Sequence, residues 1–277
     1  MTEKRFGFIA VIGPPNAGKS TLSNALVGQK VAIVTHKAQT TRARLRSVVM
    51  HEQSQVVLVD TPGIFSGVKK LDKAMVQEAW SGAEEADAVL VVLDASRALP
   101  AETELVLAGV KGTSKPVILV LNKVDAVKRE KLLELTQQLN EAADFTDTFM
   151  VSALKGTGLE ELKNYLANLV PEGPWHYPED MAADVPSLLL AAEVTREKLF
   201  LRMHQELPYA LTVETESWKR QKDGSVRLEQ VIFVRRDSQK AIVLGKRGQS
   251  IREIGSQARV EMEDVFGHKV HLFLFHF

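Results

Sequence analysis

Over the first 170 residues or so, short apolar runs alternate with longer segments in which apolar residues recur every three to four positions. The runs predict strands and the segments between them predict helices. The predicted strands are Phe6–Gly13, Arg46–His51, Val56–Asp60, Ala88–Asp94, Val117–Asn122 and Phe149–Val151. The predicted helices are Thr21–Leu26, Leu71–Ala83, Thr103–Val110, Lys128–Leu139 and Leu159–Leu169. Runs that are apolar at every position, such as Val89–Leu93, are typical of parallel strands covered on both faces. The pattern therefore predicts an α/β domain over residues 1–170, with a parallel-dominated sheet, helices on both faces and Arg46–His51 near an edge.

A proline-rich segment follows this domain. Four of the ten prolines fall at positions 171, 174, 178 and 186, and proline interrupts both helices and sheet ladders. We therefore predict a linker over residues 171–186. Beyond it, the order helix, strand, strand, helix, helix, strand predicts a separate α+β domain over residues 187–277. Its predicted elements are Leu188–Leu207, Leu211–Ser217, Val226–Val234, Lys240–Leu244, Gln249–Phe266 and Lys269–Phe275, with a hairpin turn at Asp223-Gly224.

Composition narrows the class of protein. The 277 residues include 35 basic and 35 acidic side chains and are 45% hydrophobic, which excludes a disordered or collagen-like chain. The absence of cysteine excludes disulfides, a thiolate nucleophile and cysteine-bound zinc, and favours a reducing cytoplasm. No apolar run reaches the roughly 18 residues of a membrane-spanning helix. Zero net charge argues against a uniformly basic nucleic-acid binder but permits a local basic patch.

The strongest motif lies between the first predicted strand and the first predicted helix. Residues 13–20 match G-x-x-x-x-G-K-[ST], in which backbone N–H groups and the helix N-terminus surround phosphates. Lys19 is expected to contact the β and γ phosphates as a catalytic residue, and the Ser20 hydroxyl to bind Mg²⁺. The predicted phosphate-binding residues are Gly13, Pro14, Pro15, Asn16, Ala17, Gly18, Lys19, Ser20 and Thr21.

Three later segments follow strands of the same predicted sheet, whose carboxyl ends form its ligand-binding edge. In the first segment, Asp60 is expected to hold Mg²⁺ and the Gly63 N–H to contact a γ-phosphate during catalysis. In the second, the Asp125 carboxylate can accept hydrogen bonds from N1–H and N2–H₂ of guanine, a donor pair that adenine lacks. In the third, the Ala153 N–H can meet guanine O6. The remaining predicted nucleotide-binding residues are Thr61, Pro62, Asn122, Lys123, Ser152 and Leu154.

These motifs, with Gln39-Thr40-Thr41-Arg42 and Asp60-Thr61-Pro62-Gly63, resemble the Era/TrmE group of translation-factor-like GTPases. Tyr177-Pro178-Glu179-Asp180, Arg196-Glu197-Lys198-Leu199 and Glu206-Leu207-Pro208-Tyr209 resemble the Era family within it. The resemblance implies GTP and GDP as ligands and Mg²⁺ as the cofactor. It also implies that Thr41, with Thr40 as the alternative, is a catalytic switch threonine that binds Mg²⁺.

Two positions bear on the rate of hydrolysis. Small signalling GTPases place a water-orienting glutamine directly after the residue matching Gly63. Here that residue is Ile64, which cannot hydrogen-bond a water, so we expect it to be a packed residue and intrinsic hydrolysis to be slow. In the related TrmE group the residue matching Asn16 helps to hold a potassium ion. For this chain the alternatives are a potassium ligand and a residue that only shapes the loop.

A basic loop marks the second predicted domain. Gly245-Lys246-Arg247-Gly248 lies between two predicted helices, inside a segment with seven basic and two acidic residues between positions 235 and 259. Such a loop lets a nucleic-acid backbone approach closely. The run resembles a KH domain, and the element order matches the type II arrangement. The predicted RNA-binding residues are Lys240, Gly245, Lys246, Arg247, Gly248 and Arg252.

The resemblance implies that RNA at the 3′ end of the small ribosomal subunit is the partner, and that a monomer assists 30S assembly with a link to cell growth and division. It also implies peripheral association with the inner membrane. Two alternatives stay open at the level of sequence. One is an RNA-binding module that senses GTP without useful hydrolysis, which Ile64 favours and Asp60 with Ser20 oppose. The other is an ATP-dependent kinase, which Asp125 disfavours.

Overall fold

The computed structural model describes residues 3–35, 45–66, 70–179, 181, 187–203 and 210–276. Thr40, Thr41, Asp180 and the segment 206–209 lie outside the described residues, as does part of the predicted linker. The chain forms two compact units, the first comprising Met1–Ala32 and Lys37–Asp184 and the second Ile33–His36 and Val185–Phe277. Within the described part of the chain, no helix is long and apolar enough to cross a membrane.

The first unit is built on a six-stranded sheet with the order β2-β3-β1-β4-β5-β6. Its strands are β1 (Arg5–Ile12), β2 (Leu45–His51), β3 (Ser54–Asp60), β4 (Ala88–Asp94), β5 (Val117–Asn122) and β6 (Asp147–Val151). Every pairing is parallel except that of β2 with β3, so the predicted edge strand is the one antiparallel member. The apolar runs of β3, β4 and β5 are buried at every position, as the sequence pattern predicted.

Helices cover both faces of this sheet. They are α1 (Lys19–Val27), α2 (Lys70–Glu85), α3 (Glu102–Val110), α4 (Arg129–Ala142) and α5 (Leu159–Leu169). Leu22 of α1 and Leu162 of α5 lie in the apolar core on one face. Ala79 of α2, Val106 of α3 and Leu139 of α4 lie in the core on the other. Because both faces are covered, the carboxyl ends of the parallel strands are left as the edge where polar side chains collect.

Part of the proline-rich segment is held by the first unit. The Gln55 side chain is fully buried, and its Oε1 accepts hydrogen bonds of 3.0 Å from the backbone N–H groups of both His176 and Tyr177. Its Nε2 donates to the Tyr177 carbonyl at 2.9 Å. The His176 ring also stacks on Phe6, with ring centroids 3.9 Å apart. Residues 176 and 177 are therefore anchored to the sheet of the first unit.

The second unit consists of three α-helices and a three-stranded sheet with the order β7-β8-β9 among the described residues. Its elements are α6 (Ser187–Arg202), β7 (Leu211–Arg220), β8 (Val226–Val234), α7 (Asp237–Leu244), α8 (Gln249–Phe266) and β9 (Val270–His276). β7 and β8 are antiparallel and β8 and β9 are parallel. Val194 of α6 and Met262 of α8 pack on Leu228 of β8 in the core. The observed order confirms the predicted fold class, an α/β unit followed by a type II α+β unit.

Candidate functional site

The loop 13–20 joins β1 to α1 and surrounds a buried lysine. Lys19 is the first residue of α1, and its Nζ donates hydrogen bonds of 3.0 Å to the carbonyls of Gly13 and Pro14. Burial lowers the pKa of Lys19 to about 8, and the nearby Asp60 carboxylate opposes this shift. The ammonium is thus held inside the curve of the loop, where the negative charge of a phosphate would favour its protonated form.

A carboxylate and a hydroxyl lie together beside this lysine. The Ser20 hydroxyl donates to Asp60 Oδ2 at 2.6 Å, and Asp60 is fully buried at the end of β3. Burial raises the pKa of Asp60 to about 6, while the Ser20 hydroxyl and the Lys19 ammonium favour the charged form. Among the described residues, Asp60 Oδ1 has no hydrogen-bond partner. A buried oxygen without a partner next to a hydroxyl fits the oxygen ligands of Mg²⁺, directly or through water.

The segment after Asp60 lies against the same loop. The Ile64 N–H donates to the Gly13 carbonyl at 3.0 Å, and a Cβ added to Gly63 would be 3.0 Å from Pro15 Cα. The Thr61 hydroxyl donates to the Val11 carbonyl at 2.9 Å, which fixes the segment to β1. The Ile64 side chain is 1% exposed within the core and so is packed. The geometry places Gly63 beside the loop but offers no polar side chain at position 64 to orient a water.

Asn122, at the end of β5, connects three of the four predicted nucleotide-binding segments, namely the loop 13–20, its own segment and the segment that contains Ala153. Its Nδ2 donates to the Ala17 carbonyl at 3.0 Å, and its Oδ1 accepts from the N–H groups of Lys123 at 2.8 Å and Ala153 at 3.1 Å. Gly18 lies in the left-handed region at φ +95°, and a Cβ there would be 2.3 Å from Asn122 Nδ2. Only glycine permits this approach. The Ala153 N–H that we expected to meet guanine O6 is therefore bonded to Asn122 here, and its contact with the base stays a prediction.

The predicted base-reading carboxylate is accessible. Asp125 is exposed in a short 3₁₀ turn over Val124–Ala126, directly after Lys123. Within the described residues its carboxylate has no hydrogen bond or ion pair, so it is available to a ligand. Ser152 is buried and its hydroxyl accepts from the Lys155 N–H at 3.1 Å, whereas Leu154 is exposed. The structure thus brings all the described residues that were predicted to bind the nucleotide to one edge of the sheet.

One residue at this edge was not predicted from the sequence. Asp94 ends β4, is paired in register with Asn122 on β5, and accepts hydrogen bonds from Lys123 Nζ at 2.7 Å and the Ser96 hydroxyl at 2.6 Å. The rule that identified Asp60 and Asn122, a polar residue at the carboxyl end of a parallel strand, applies equally to Asp94. Its position at the end of a predicted strand could therefore have revealed it.

In the second unit, the loop 245–248 connects α7 to α8 and presents basic side chains. Lys246, Arg247 and Arg252 are exposed, and none of them has a side-chain hydrogen bond or ion pair among the described residues. With Gln249 and Glu253 they line an open cavity of about 630 Å³. Elsewhere in the basic segment, Arg259 donates to both carboxylate oxygens of Glu263, at 2.9 and 3.0 Å. Unpaired positive charge therefore lies at the loop and the start of α8, whose N-terminus also attracts anions. Arg235 and Arg236, just before α7, and Lys240, in its first turn, also have no ion pair among the described residues, and Lys240 is half-buried.

Comparison with known proteins agrees with these two sites. The family described as "50S ribosome-binding GTPase" matches residues 8–123, and the family described as "KH domain" matches residues 206–277. A "GTPase Era" of Sinorhizobium medicae is 55% identical over 271 residues, covering 98% of this chain and 87% of the relative. A "GTPase Era" of Agrobacterium fabrum is 56% identical over 271 residues, covering 98% of this chain and 86% of the relative.

Two solved structures share the fold of the whole chain. A point variant of Era from Aquifex aeolicus, bound to GDP and AlF₄⁻, is 37% identical, with a TM-score of 0.92 over 98% of this chain and 93% of that one. Era in complex with MgGDPNP and nucleotides 1506–1542 of 16S ribosomal RNA is 37% identical, with a TM-score of 0.93 over 99% of this chain and 93% of that one.

The fold and the two sites define a P-loop GTPase joined to a KH domain. Identities of 55% and 56% over nearly the whole chain are far above what a shared fold alone requires. The chain belongs to the Era family of GTPases and hydrolyses GTP to GDP and phosphate. The alternatives of an ATP-dependent kinase and of a module that senses GTP without hydrolysis are therefore wrong.

Proposed function

We propose that this GTPase binds the 3′ end of small-subunit ribosomal RNA through the loop 245–248 and assists assembly of the 30S subunit, with GTP hydrolysis as its switch. The RNA half of this proposal rests on three exposed basic residues around a Gly-x-x-Gly loop, Lys246, Arg247 and Arg252. None of them has an ion-pair partner in the described chain. The relative solved with nucleotides of 16S ribosomal RNA supports the choice of partner.

For the nucleotide half, we propose that the edge of the sheet in the first unit performs the hydrolysis. Lys19 and the N–H groups of the loop 13–20 stabilise the charge that develops on the γ-phosphate as water attacks it. Ser20 and Asp60, with Thr41, hold Mg²⁺, which when bound neutralises charge on the phosphates; the relative solved with MgGDPNP supports this cofactor. The Gly63 N–H contacts the γ-phosphate. Because the buried Ile64 cannot orient the water, intrinsic turnover is slow.

The RNA proposal predicts a change in salt dependence. In the double variant Lys246→Ala/Arg247→Ala, RNA binding should weaken for all sequences, since the loop contacts phosphates rather than bases. The slope of log affinity against log salt should fall by about 0.7 for each lost phosphate contact on a single strand. RNA titration at several salt concentrations measures both quantities. GTP affinity should not change.

A matched control separates the effect of the loop's own charges from the effect of a lower net charge. Lys219→Ala/Arg220→Ala removes two exposed basic residues from β7 of the same unit, and neither side chain has a hydrogen bond or ion pair among the described residues. This control should keep the wild-type slope. Gly245 is a poor test position, because at φ +70° an added Cβ would lie 2.6 Å from Ser250 Cβ and disturb the fold. A folded loop variant with wild-type affinity and slope would contradict the proposal.

A second prediction concerns potassium. We propose that Asn16, which has the left-handed φ of +63° in the phosphate loop, helps to hold K⁺ beside the phosphates. Replacing K⁺ by Na⁺ at equal ionic strength should then slow single-turnover hydrolysis by at least about tenfold, because charge stabilisation near the transferred group is lost. In Asn16→Ala the two salts should give the same rate. Equal rates in wild type would leave Asn16 with only a role in loop shape.

The other expectations stay predictions. They are a cytoplasmic location, peripheral association with the inner membrane, a monomeric state, and a link to growth and division. Sedimentation of cell extracts, with and without high salt, would separate ribosome-bound from membrane-bound protein. Co-sedimentation with 30S particles that is lost in Lys246→Ala/Arg247→Ala is the result expected for an assembly factor.

A further inference from the structure

Asp94 is a nearly buried carboxylate that holds two cations. Its side chain is 4% exposed, and its Oδ2 lies 2.7 Å from Lys123 Nζ and 3.1 Å from Arg97 Nε. Its Oδ1 accepts from the Ser96 N–H at 3.0 Å and from the Ser96 hydroxyl at 2.6 Å. Burial alone would raise the pKa of Asp94, but the bonds from Lys123 and Ser96 hold that pKa below its ordinary value. The carboxylate is therefore charged. Its Oδ2 contacts the two cations, and its Oδ1 accepts hydrogen bonds from Ser96.

Both cations also donate hydrogen bonds to backbone carbonyls of the phosphate loop. Lys123 Nζ donates to the Asn16 carbonyl at 2.9 Å, and Arg97 Nη2 donates to the Pro15 carbonyl at 3.4 Å. Two consecutive carbonyls of the loop are thus held by cations that share one carboxylate. The connection also joins two strained points of the backbone, because Asn16 has φ +63° and Lys123 has φ +65°. Such conformations persist only where the surrounding contacts over-determine them.

We propose that Asp94 is a positioning residue that couples the guanine-reading segment 122–125 to the phosphate loop 13–20. Lys123 directly precedes the turn that contains Asp125, and Asn16 lies in the loop that surrounds Lys19. Fixing both segments before the ligand arrives removes part of the ordering entropy that binding would otherwise oppose. The inference rests on the nucleotide roles proposed above for these two segments, and it adds a residue to which no motif assigns a role.

Asp94→Asn removes the contacts of Oδ2 with the two cations and keeps those of Oδ1 with Ser96. The amide oxygen of asparagine can still accept from the Ser96 N–H and hydroxyl, so the local turn is kept. The amide nitrogen, however, is a donor and would face Lys123 Nζ and Arg97 Nε. The chain offers a matched control, because Asp223 makes the same turn with Ser225, accepting from its N–H at 3.0 Å and its hydroxyl at 2.6 Å. No lysine or arginine forms a salt bridge with Asp223 in the described chain.

The experiment is a titration of fluorescent GDP into wild type, Asp94→Asn, Asp223→Asn, Lys123→Met and the double variant Asp94→Asn/Lys123→Met, with melting curves of the nucleotide-free proteins. We expect Asp94→Asn to weaken GDP binding by about tenfold to a hundredfold, mostly through faster dissociation, since a charged hydrogen-bonded partner is lost. Asp223→Asn should bind GDP like wild type. In the Lys123→Met background, Asp94→Asn should add only about threefold, because the Asp94–Lys123 pair is already gone and only the contact with Arg97 is left to lose.

Three outcomes would overturn the proposal. These are wild-type GDP affinity in folded Asp94→Asn, effects of Asp94→Asn and Lys123→Met that simply multiply, and equal weakening in Asp223→Asn. If Asp94→Asn does not fold, Arg97→Gln serves instead, because the Arg97 side chain is 48% exposed. It should weaken GDP binding about threefold, and wild-type affinity would count against the coupling. Failure of wild type to bind GDP would instead contradict the proposed nucleotide site itself.

Discussion

Asp125→Asn should weaken GTP binding by about a hundredfold, which corresponds to about 3 kcal/mol for two hydrogen bonds to a charged acceptor. The new amide would place a donor against the N1–H and N2–H₂ donors of guanine. The same variant should bind xanthosine triphosphate better than wild type does, since the 2-oxo group of xanthine accepts from that amide. Competition titrations with both nucleotides measure the exchange of preference.

The structure makes this test interpretable. Asp125 is exposed and its carboxylate has no partner among the described residues, so the substitution breaks no intramolecular bond there. The free energy of unfolding should change by no more than about 0.5 kcal/mol. Asp144→Asn is a matched control, because Asp144 is also exposed and unpaired in the described chain but lies just after α4. Unchanged GTP affinity in Asp125→Asn would show that another group selects the base.

Lys19→Ala should reduce GTP hydrolysis by at least about a thousandfold and abolish Mg²⁺-dependent retention of the triphosphate, because we propose that the buried ammonium stabilises the charge that develops on the γ-phosphate. The variant should also be less stable without nucleotide, since the carbonyls of Gly13 and Pro14 lose their donor in a buried place. Single-turnover hydrolysis and thermal melting give the two effects separately.

A second lysine of the same unit provides the control. Lys115 Nζ also donates to backbone carbonyls, those of Ala83, Glu84 and Ala86 at the end of α2. Lys115→Ala should lower the melting temperature but leave hydrolysis close to wild type. If both lysine variants lose hydrolysis in proportion to their loss of stability, Lys19 has no catalytic role beyond support of the fold.

The sheet of the first unit could be predicted from the sequence because its central strands are buried on both faces. An uninterrupted apolar run such as Ala88–Asp94 has the length of a strand and is too short for a typical buried helix. Ends of elements were predicted less accurately: α1 begins at Lys19 rather than Thr21, since a phosphate loop passes into a helix without a polar cap. In the second unit, the hairpin and the loop 245–248 were predicted because glycine marks turns that few other residues tolerate.

The sequence did not predict the contacts between polar residues that are far apart along the chain. Asp94 was assigned to a strand, but nothing in its neighbourhood in the sequence shows that Lys123 reaches it. Likewise Gln230 of β8 follows the polar Glu229 directly but is fully buried, where it bonds to Thr195 at 2.5 Å and Thr215 at 3.1 Å. Such pairings depend on which strands become neighbours, and periodicity within one segment carries no information about that.

Because Gln55 anchors His176 and Tyr177, it limits how far the chain can be truncated to express the first unit alone. A fragment that stopped at residue 170, where the regular alternation of strands and helices ends, would keep the Gln55 amide inside the protein but remove the backbone groups that it bonds. It would also expose Phe6 by removing the ring that stacks on it. For expression of the GTPase part alone, the C-terminus should therefore lie beyond Tyr177, so that Gln55 and Phe6 keep their partners.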